Sequence, residues 1–166
     1  MATIHRAANV DDAAALSAIL TALREAAARG PVVFPVHPRT AKNVAALGLE
    51  REFAALGQLR RIEPLGYLDF ANLLAGAAYL LTDSGGVQIE AAYLGVPCIT
   101  LRETTEHVIT IEQGYNRLCR LEAAAVREAL DWAAAFDRGG RALPPVWDGR
   151  AAERTAAVLR SFLSRV

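Results

Sequence analysis

The chain has no net charge: 18 lysines and arginines offset 18 aspartates and glutamates across 166 residues. Without an excess of either sign it lacks the electrostatic footprint of a nucleic-acid or anionic-membrane binder. Lysine itself is nearly missing, Lys42 being the only one, and the arginines are scattered rather than gathered into a patch. Cysteine is scarce. Cys98 and Cys119 do not have metal-ligand spacing, Cys98 sits in an apolar run like a small core hydrophobe, and the pair fits a reducing cytoplasm. No uninterrupted apolar run approaches the roughly 18 residues of a membrane span. The N-terminus has no apolar stretch of about 7–15 residues of the signal-peptide kind. What remains is a chain that is 53% hydrophobic with mean hydropathy +0.20, of a length that suits one globular domain.

Short apolar runs alternate with longer amphipathic ones. Strands are expected at Ala2–His5, Val32–Val36, Leu59–Ile62, Ala77–Thr82 and Cys98–Leu101, where β-branched and apolar residues cluster. Between them, Asp11 or Asp12 can cap a helix running to about Ala28, with Leu16, Ile19, Leu20 and Leu23 on one face. Thr40–Ala55 reads as a helix interrupted at Gly48, Leu68–Leu74 as a short helix and Val87–Leu94 as another. Glu122–Phe136 places Val126, Leu130 and Ala133 on one face, Gly139–Pro145 is a loop, and Arg150–Leu163 is a final helix with Asp148 a candidate cap. Strands joined by helices pair in parallel through right-handed crossovers. The expected class is α/β, a Rossmann-like, doubly wound parallel sheet occupying residues 1–166.

The sharpest local feature is Thr82-Asp83-Ser84-Gly85-Gly86-Val87-Gln88-Ile89-Glu90. A strand runs into a Ser-Gly-Gly turn that opens a helix. A helix start exposes unpaired N–H groups and a partial positive charge, which suits phosphate. Gly85 and Gly86 let an anion approach without meeting a Cβ. The Ser84 hydroxyl can add a bond to the ligand or cap the helix itself. Glu90, six residues on, could accept from both hydroxyls of a ribose. The competing reading of the same spacing is an ordinary Ser-capped helix with glycines for packing.

Asp83-Ser84-Gly85-Gly86-Val87-Gln88-Ile89-Glu90-Ala91 resembles the signature of the non-hydrolysing UDP-N-acetylglucosamine 2-epimerases. Further segments follow in that family's order: Thr3-Ile4-His5-Arg6, Pro35-Val36-His37-Pro38, Glu63-Pro64-Leu65-Gly66-Tyr67-Leu68-Asp69-Phe70 and Leu101-Arg102-Glu103-Thr104-Thr105-Glu106. Gln113-Gly114-Tyr115-Asn116-Arg117-Leu118 and Trp147-Asp148-Gly149-Arg150-Ala151-Ala152 complete a match over nearly the whole chain. The resemblance implies one half of a GT-B architecture, the C-terminal half that holds UDP. It implies that Ser84, Gly85 and Gly86 bind the diphosphate, that Glu90 binds the ribose, and that Phe70 packs on uracil, with a core aromatic as its alternative. His5 matches the histidine beside the diphosphate and is the one catalytic candidate. Arg6 and His37 match cleft positions that contact a second, allosteric UDP-GlcNAc in some members, and His37 could equally be a turn histidine.

The implied reaction interconverts UDP-GlcNAc and UDP-ManNAc by elimination and re-addition of UDP, without NAD, metal or other cofactor. Three positions depart from the pattern. Ala8 replaces a usual Glu, Ile89 replaces the first Glu of a Glu-Glu pair, and His107 stands where an Arg often reaches the diphosphate. The family's other acids lie upstream of the sequence given. The expected partners are therefore UDP or UDP-GlcNAc and a missing N-terminal domain, and the chain alone is expected to bind UDP without turnover. The last helix is expected to pack its apolar side, including Ala157, Val158 and Phe162, back on this domain or to pair with another copy as a homodimer. A GT-B glycosyltransferase domain and a non-catalytic UDP-sugar-binding module are the alternatives.

Overall fold

The computed structural model describes residues 1–139, 143–144 and 146–164. It begins β1 (Ala2–Thr3), α1 (Ala7–Val10), α2 (Ala13–Ala27), β2 (Val32–Pro35), α3 (Pro38–Ala46), α4 (Glu50–Ala54) and β3 (Leu59–Ile62). It continues α5 (Tyr67–Ala75), β4 (Leu80–Thr82), α6 (Gly85–Tyr93), β5 (Cys98–Thr100), α7 (Val108–Glu112), β6 (Asn116–Leu118), α8 (Ala123–Ala134) and α9 (Ala151–Leu163). The strands form two hydrogen-bonded sets, β1-β4-β5-β6 and β2-β3, all parallel. β1 lies against β2, so the sets adjoin in the order β3-β2-β1-β4-β5-β6, the doubly wound Rossmann order.

Strand alternation explains why helices cover both faces. Leu80 pairs with Cys98 and Leu81 with Ile99. Leu81 and Ile99 join one core with Ala2 and Ile4 of the β1 segment, Leu16, Ile19, Leu20 and Leu23 of α2, and Val126 and Leu130 of α8. Leu80 and Cys98 point the other way, into a second core with Leu74 of α5 and Ala91 of α6. Successive side chains of a strand leave on opposite faces, so β4 and β5, of three residues each, feed both cores.

The Asp12 cap is present, its carboxylate accepting from Ala15 N at 2.9 Å. Gly48, at φ +70°, divides α3 from α4 as the sequence indicates, because that left-handed turn strains any residue with a Cβ. Three elements went unread: α1, α7 and β6. The first two are single turns. β6 begins with a buried polar residue, Asn116, so it lacks the apolar alternation that marks a strand. Ala77–Thr82 shortens to Leu80–Thr82 because only those residues pair with β5. The expected loop Gly139–Pro145 falls partly outside the described residues. Asp148 does not cap α9 from the N-cap position, which Arg150 holds; its carboxylate accepts from Arg150 N at 2.9 Å and pairs with Arg154.

The packing expected of α9 within this chain is absent. None of its described residues is buried, and Val158 and Phe162 are 68% and 65% exposed. α9 contributes no residue to either core, which the sheet forms with α2 and α8 on one face and with α5 and α6 on the other.

Candidate functional site

The carboxyl ends of β1, β4 and β5 meet where the strand order reverses, which is where open α/β sheets place ligands. Asp83, the residue after β4, is fully buried. Its carboxylate accepts from His5 N (3.1 Å), Arg6 N (2.9 Å) and Asn9 Nδ2 (3.0 Å). Asn9 also donates to Leu101 O at 3.2 Å. One carboxylate thus ties the exits of β1 and β4 together, and its amide partner reaches the exit of β5. A buried carboxylate is tolerable only when its lone pairs are met in this way. Sequence inspection missed this role although Asp83 lay inside the quoted motif, because its partners, two backbone N–H groups and one side-chain amide, lie 74–78 residues away.

His5 stands half-exposed at this junction, its Nδ1 3.5 Å from Asp83 Oδ1. Its ring stacks on His37 with centroids 5.0 Å apart. His37 is also the turn histidine that the sequence allowed: its Nδ1 accepts from Arg39 N at 3.1 Å at the start of α3. The structure therefore brings His5 and His37 together, while the Arg6 side chain turns to Glu106.

Ser84 is the N-cap residue of α6 and makes no side-chain cap bond. Of its two sequence-level alternatives the capping one is absent, and the hydroxyl has no partner among the described residues. Gly86 is exposed, with nothing within 4 Å of where a Cβ would stand. Gly85 differs. A Cβ there would collide with Glu106 Oε1 and stand 3.3 Å from His107 Nε2. Glu106 also meets Arg102 Nη1 at 3.0 Å and Arg6 Nη2 at 3.4 Å. Its own backbone N–H, then the Arg102 guanidinium, hold its carboxyl below the usual carboxylate range. Glu90, half-buried on α6, has no side-chain partner among the described residues. Phe70 packs partly buried against the second core beside Val87, while Tyr67 and Leu68 of the same segment are 69% and 75% exposed.

Beneath the turn lies a polar network that sequence reasoning also missed. Gln88 Nε2 donates to Ser84 O (3.0 Å), and Gln88 Oε1 accepts from Thr105 (2.7 Å) and Asn116 (3.0 Å). Asn116 accepts from Thr100 at 2.7 Å and donates to Thr110 at 3.0 Å. Gln88, Thr100, Thr110 and Asn116 are all buried. The network fixes the Thr105–His107 loop over the start of α6, so His107 faces Gly85 by construction. The available signals were Gln88 within the Ser-Gly-Gly segment and Asn116 after Gly114-Tyr115.

Among the described residues no cluster of three His, Cys, Asp or Glu side chains could hold a metal ion, and no helix is long and apolar enough to cross a membrane. The arrangement suits an anion at a glycine-rich helix start, with a carboxylate one and a half turns along the same helix.

Comparison with known proteins agrees. The UDP-N-acetylglucosamine 2-epimerase of Methanocaldococcus jannaschii is 36% identical over 159 residues, covering 95% of this chain and 43% of that protein. The UDP-2,3-diacetamido-2,3-dideoxy-D-glucuronate 2-epimerase of Pseudomonas aeruginosa is 44% identical over 119 residues, 71% of this chain and 32% of that protein. The crystal structure of the Methanocaldococcus jannaschii enzyme in complex with UDP-GlcNAc and UDP matches with TM-score 0.86 at 35% identity, over 96% of this chain and 44% of that one. The chain thus spans less than half the length of these relatives. With the family model for UDP-N-acetylglucosamine 2-epimerase matching residues 1–160, the chain belongs to the UDP-N-acetylglucosamine 2-epimerase family.

Proposed function

We propose that this chain is the UDP-binding half of a UDP-sugar 2-epimerase. The observation that carries the reading is the set of groups on α6 without side-chain partners among the described residues: an N-terminus with no side-chain cap bond, the Ser84 hydroxyl and the Glu90 carboxylate, beside His5 held by Asp83. The diphosphate sits on Ser84, Gly85 and Gly86, where backbone N–H groups and the helix dipole favour negative charge. Glu90 accepts from the ribose hydroxyls. Phe70, from α5, borders the uracil. His5, stacked on His37, faces the oxygen that leaves the sugar. His107 contributes a smaller attraction than the arginine usual there.

The reaction breaks two bonds. A base removes the C2 proton, the C2–H electron pair becomes the C1=C2 double bond of a glycal, and the C1–O bond breaks with its electron pair leaving on the UDP oxygen. UDP then adds back to C1 while C2 is protonated on the opposite face. This half stabilises the departing diphosphate. The acid and base at C2 belong to the absent half, so the chain alone binds UDP and does not epimerise. The two curated relatives act on different sugars and share UDP, which supports assigning the common nucleotide to the shared half. UDP-GlcNAc is the first substrate to test and a diacetamido-glucuronate the second.

Calorimetric titration of wild type and Glu90→Ala with UDP and with pyrophosphate tests the assignment. The variant should lose affinity for UDP and keep its weak affinity for pyrophosphate, since a helix N-terminus supplies only about 0.3–2 kcal/mol toward an anion. Equal losses for both ligands would remove Glu90 from the ribose role.

A further inference from the structure

The environment of Glu106 is what a bound phosphate would require. One carboxylate oxygen stands closer to Gly85 than any side chain there would permit, at the start of the nine-residue helix α6. Arg102 Nη1 lies 3.0 Å from Glu106 Oε2, while Arg6 Nη2 and His107 Nε2 lie 3.4 and 3.8 Å from Oε1. Two guanidiniums, an imidazole and a helix N-terminus thus converge on one anionic group of the chain itself. Glu106 is half-exposed and its side chain is flexible, so it can leave. Arg102 is held more firmly, at 18% side-chain exposure, on the loop that follows β5.

We infer that Arg102 is a diphosphate-binding residue and that the Glu106 carboxylate is its internal placeholder, filling the diphosphate seat until UDP displaces it. The inference rests on the UDP-binding reading above. Displacement exchanges one anion for another: Arg102 and Arg6 release a carboxylate and take phosphate oxygens, so neither guanidinium is left unpaired. Arg102 thereby supplies a strong cation where position 107 carries histidine instead of arginine. A planar guanidinium suits two phosphate oxygens better than a neutral imidazole does. The carboxylate lowers UDP affinity because it must be moved, and it excludes weaker anions from the site.

The test is titration of the 166-residue chain with UDP, uridine and pyrophosphate, comparing wild type, Glu106→Gln, Glu106→Ala, Arg102→Gln and the double variant Glu106→Gln/Arg102→Gln. Thermal melts serve as the fold control. Both Glu106 variants should bind UDP and pyrophosphate about three- to tenfold more tightly, as removal of an exposed ion-paired competitor allows. Uridine, which lacks phosphate, should not change. Arg102→Gln should weaken UDP by roughly tenfold or more, as loss of a charge-assisted bond implies, and should cancel the gain in the double variant. Unchanged or weaker UDP binding in both Glu106 variants, with UDP still perturbing the Gly85 and Gly86 amides, overturns this inference and leaves the UDP reading standing. No binding of UDP to wild type or to either Glu106 variant overturns both.

Discussion

The carboxyl edge of the sheet and the final helix are opposites. At the edge, polar groups are buried and satisfied: Asp83 by three donors, Asn116 and Gln88 by each other and by three threonines. On α9, apolar groups are exposed and unsatisfied, with Val158, Leu159, Phe162 and Leu163 all facing outward. The first region is finished within this chain. The second needs a surface this chain does not provide. On the proposed reading, a site whose supports are complete would hold UDP without help, whereas a helix with an uncovered apolar side would need a second body; the chain spans under half the length of its relatives.

The comparison breaks most visibly at Asp83. Asp83→Ala strands the His5 and Arg6 N–H groups and the Asn9 amide at a buried junction, and each buried unsatisfied group costs about 1–3 kcal/mol. Urea denaturation should show a loss of about 3–5 kcal/mol, on the scale of breaking a buried charge network. A loss below about 1 kcal/mol would mean that water replaces the carboxylate and that the edge is not finished as described. Leu20→Ala, in the core between α2 and the sheet, should cost about 2–5 kcal/mol by the same assay.

Substitution on α9 sharpens the contrast. Val158→Ser with Phe162→Ser should change the stability of the chain by no more than about 0.5 kcal/mol, as exposed sites do. The same pair should abolish association with a family N-terminal half in trans, or with a second copy, read by sedimentation. Marked destabilisation of the isolated chain would place α9 in its core.

Smaller effects follow from titratable groups. Asp11, held low by its hydrogen bond to Arg39, Glu106 by its own N–H and Arg102, and Asp148 by Arg154 all have folded values below their unfolded ones. Their stabilisation is therefore present above the unfolded value near pH ~4 and is lost as pH falls through the folded values. Urea midpoints should drop modestly between about pH 5.5 and 3, and less so in Arg39→Met, which removes Asp11's share. Burial pushes the Cys98 thiol up to about 12 and the Cys119 thiol up to about 11. Both should resist alkylation near pH 8 until the chain unfolds, because the thiolate is the reactive form.

Sequence legibility divides along the same line as the two regions. The bounds of β3 were readable to the residue, and the large apolar residues on the inward faces of α2 and α8 were readable because apolar periodicity reports what a helix buries, although the buried Ala22, Ala26, Ala27 and Ala129 were not named. The candidate site residues named from the sequence are local: Ser84, Gly85, Gly86 and Glu90 lie on one turn and one helix. The site was not readable where polar groups are buried by distant partners. Asn116 looks like a loop residue until Gln88, Thr100 and Thr110 surround it. Glu106 ends a quoted segment without an assigned role, and only the fold lays it on Gly85. The outward face of α9 was readable as amphipathic, but no pattern within one chain identifies the partner that covers it.

The most direct test is a titration of the isotopically labelled chain with UDP, followed through its backbone amides. The account predicts that Gly85 and Gly86 shift first and furthest, that Glu90 and the Phe70 segment follow, and that the Ala151–Leu163 helix stays still. Shifts confined to α9 or spread without focus, or no shift at millimolar UDP, would contradict it.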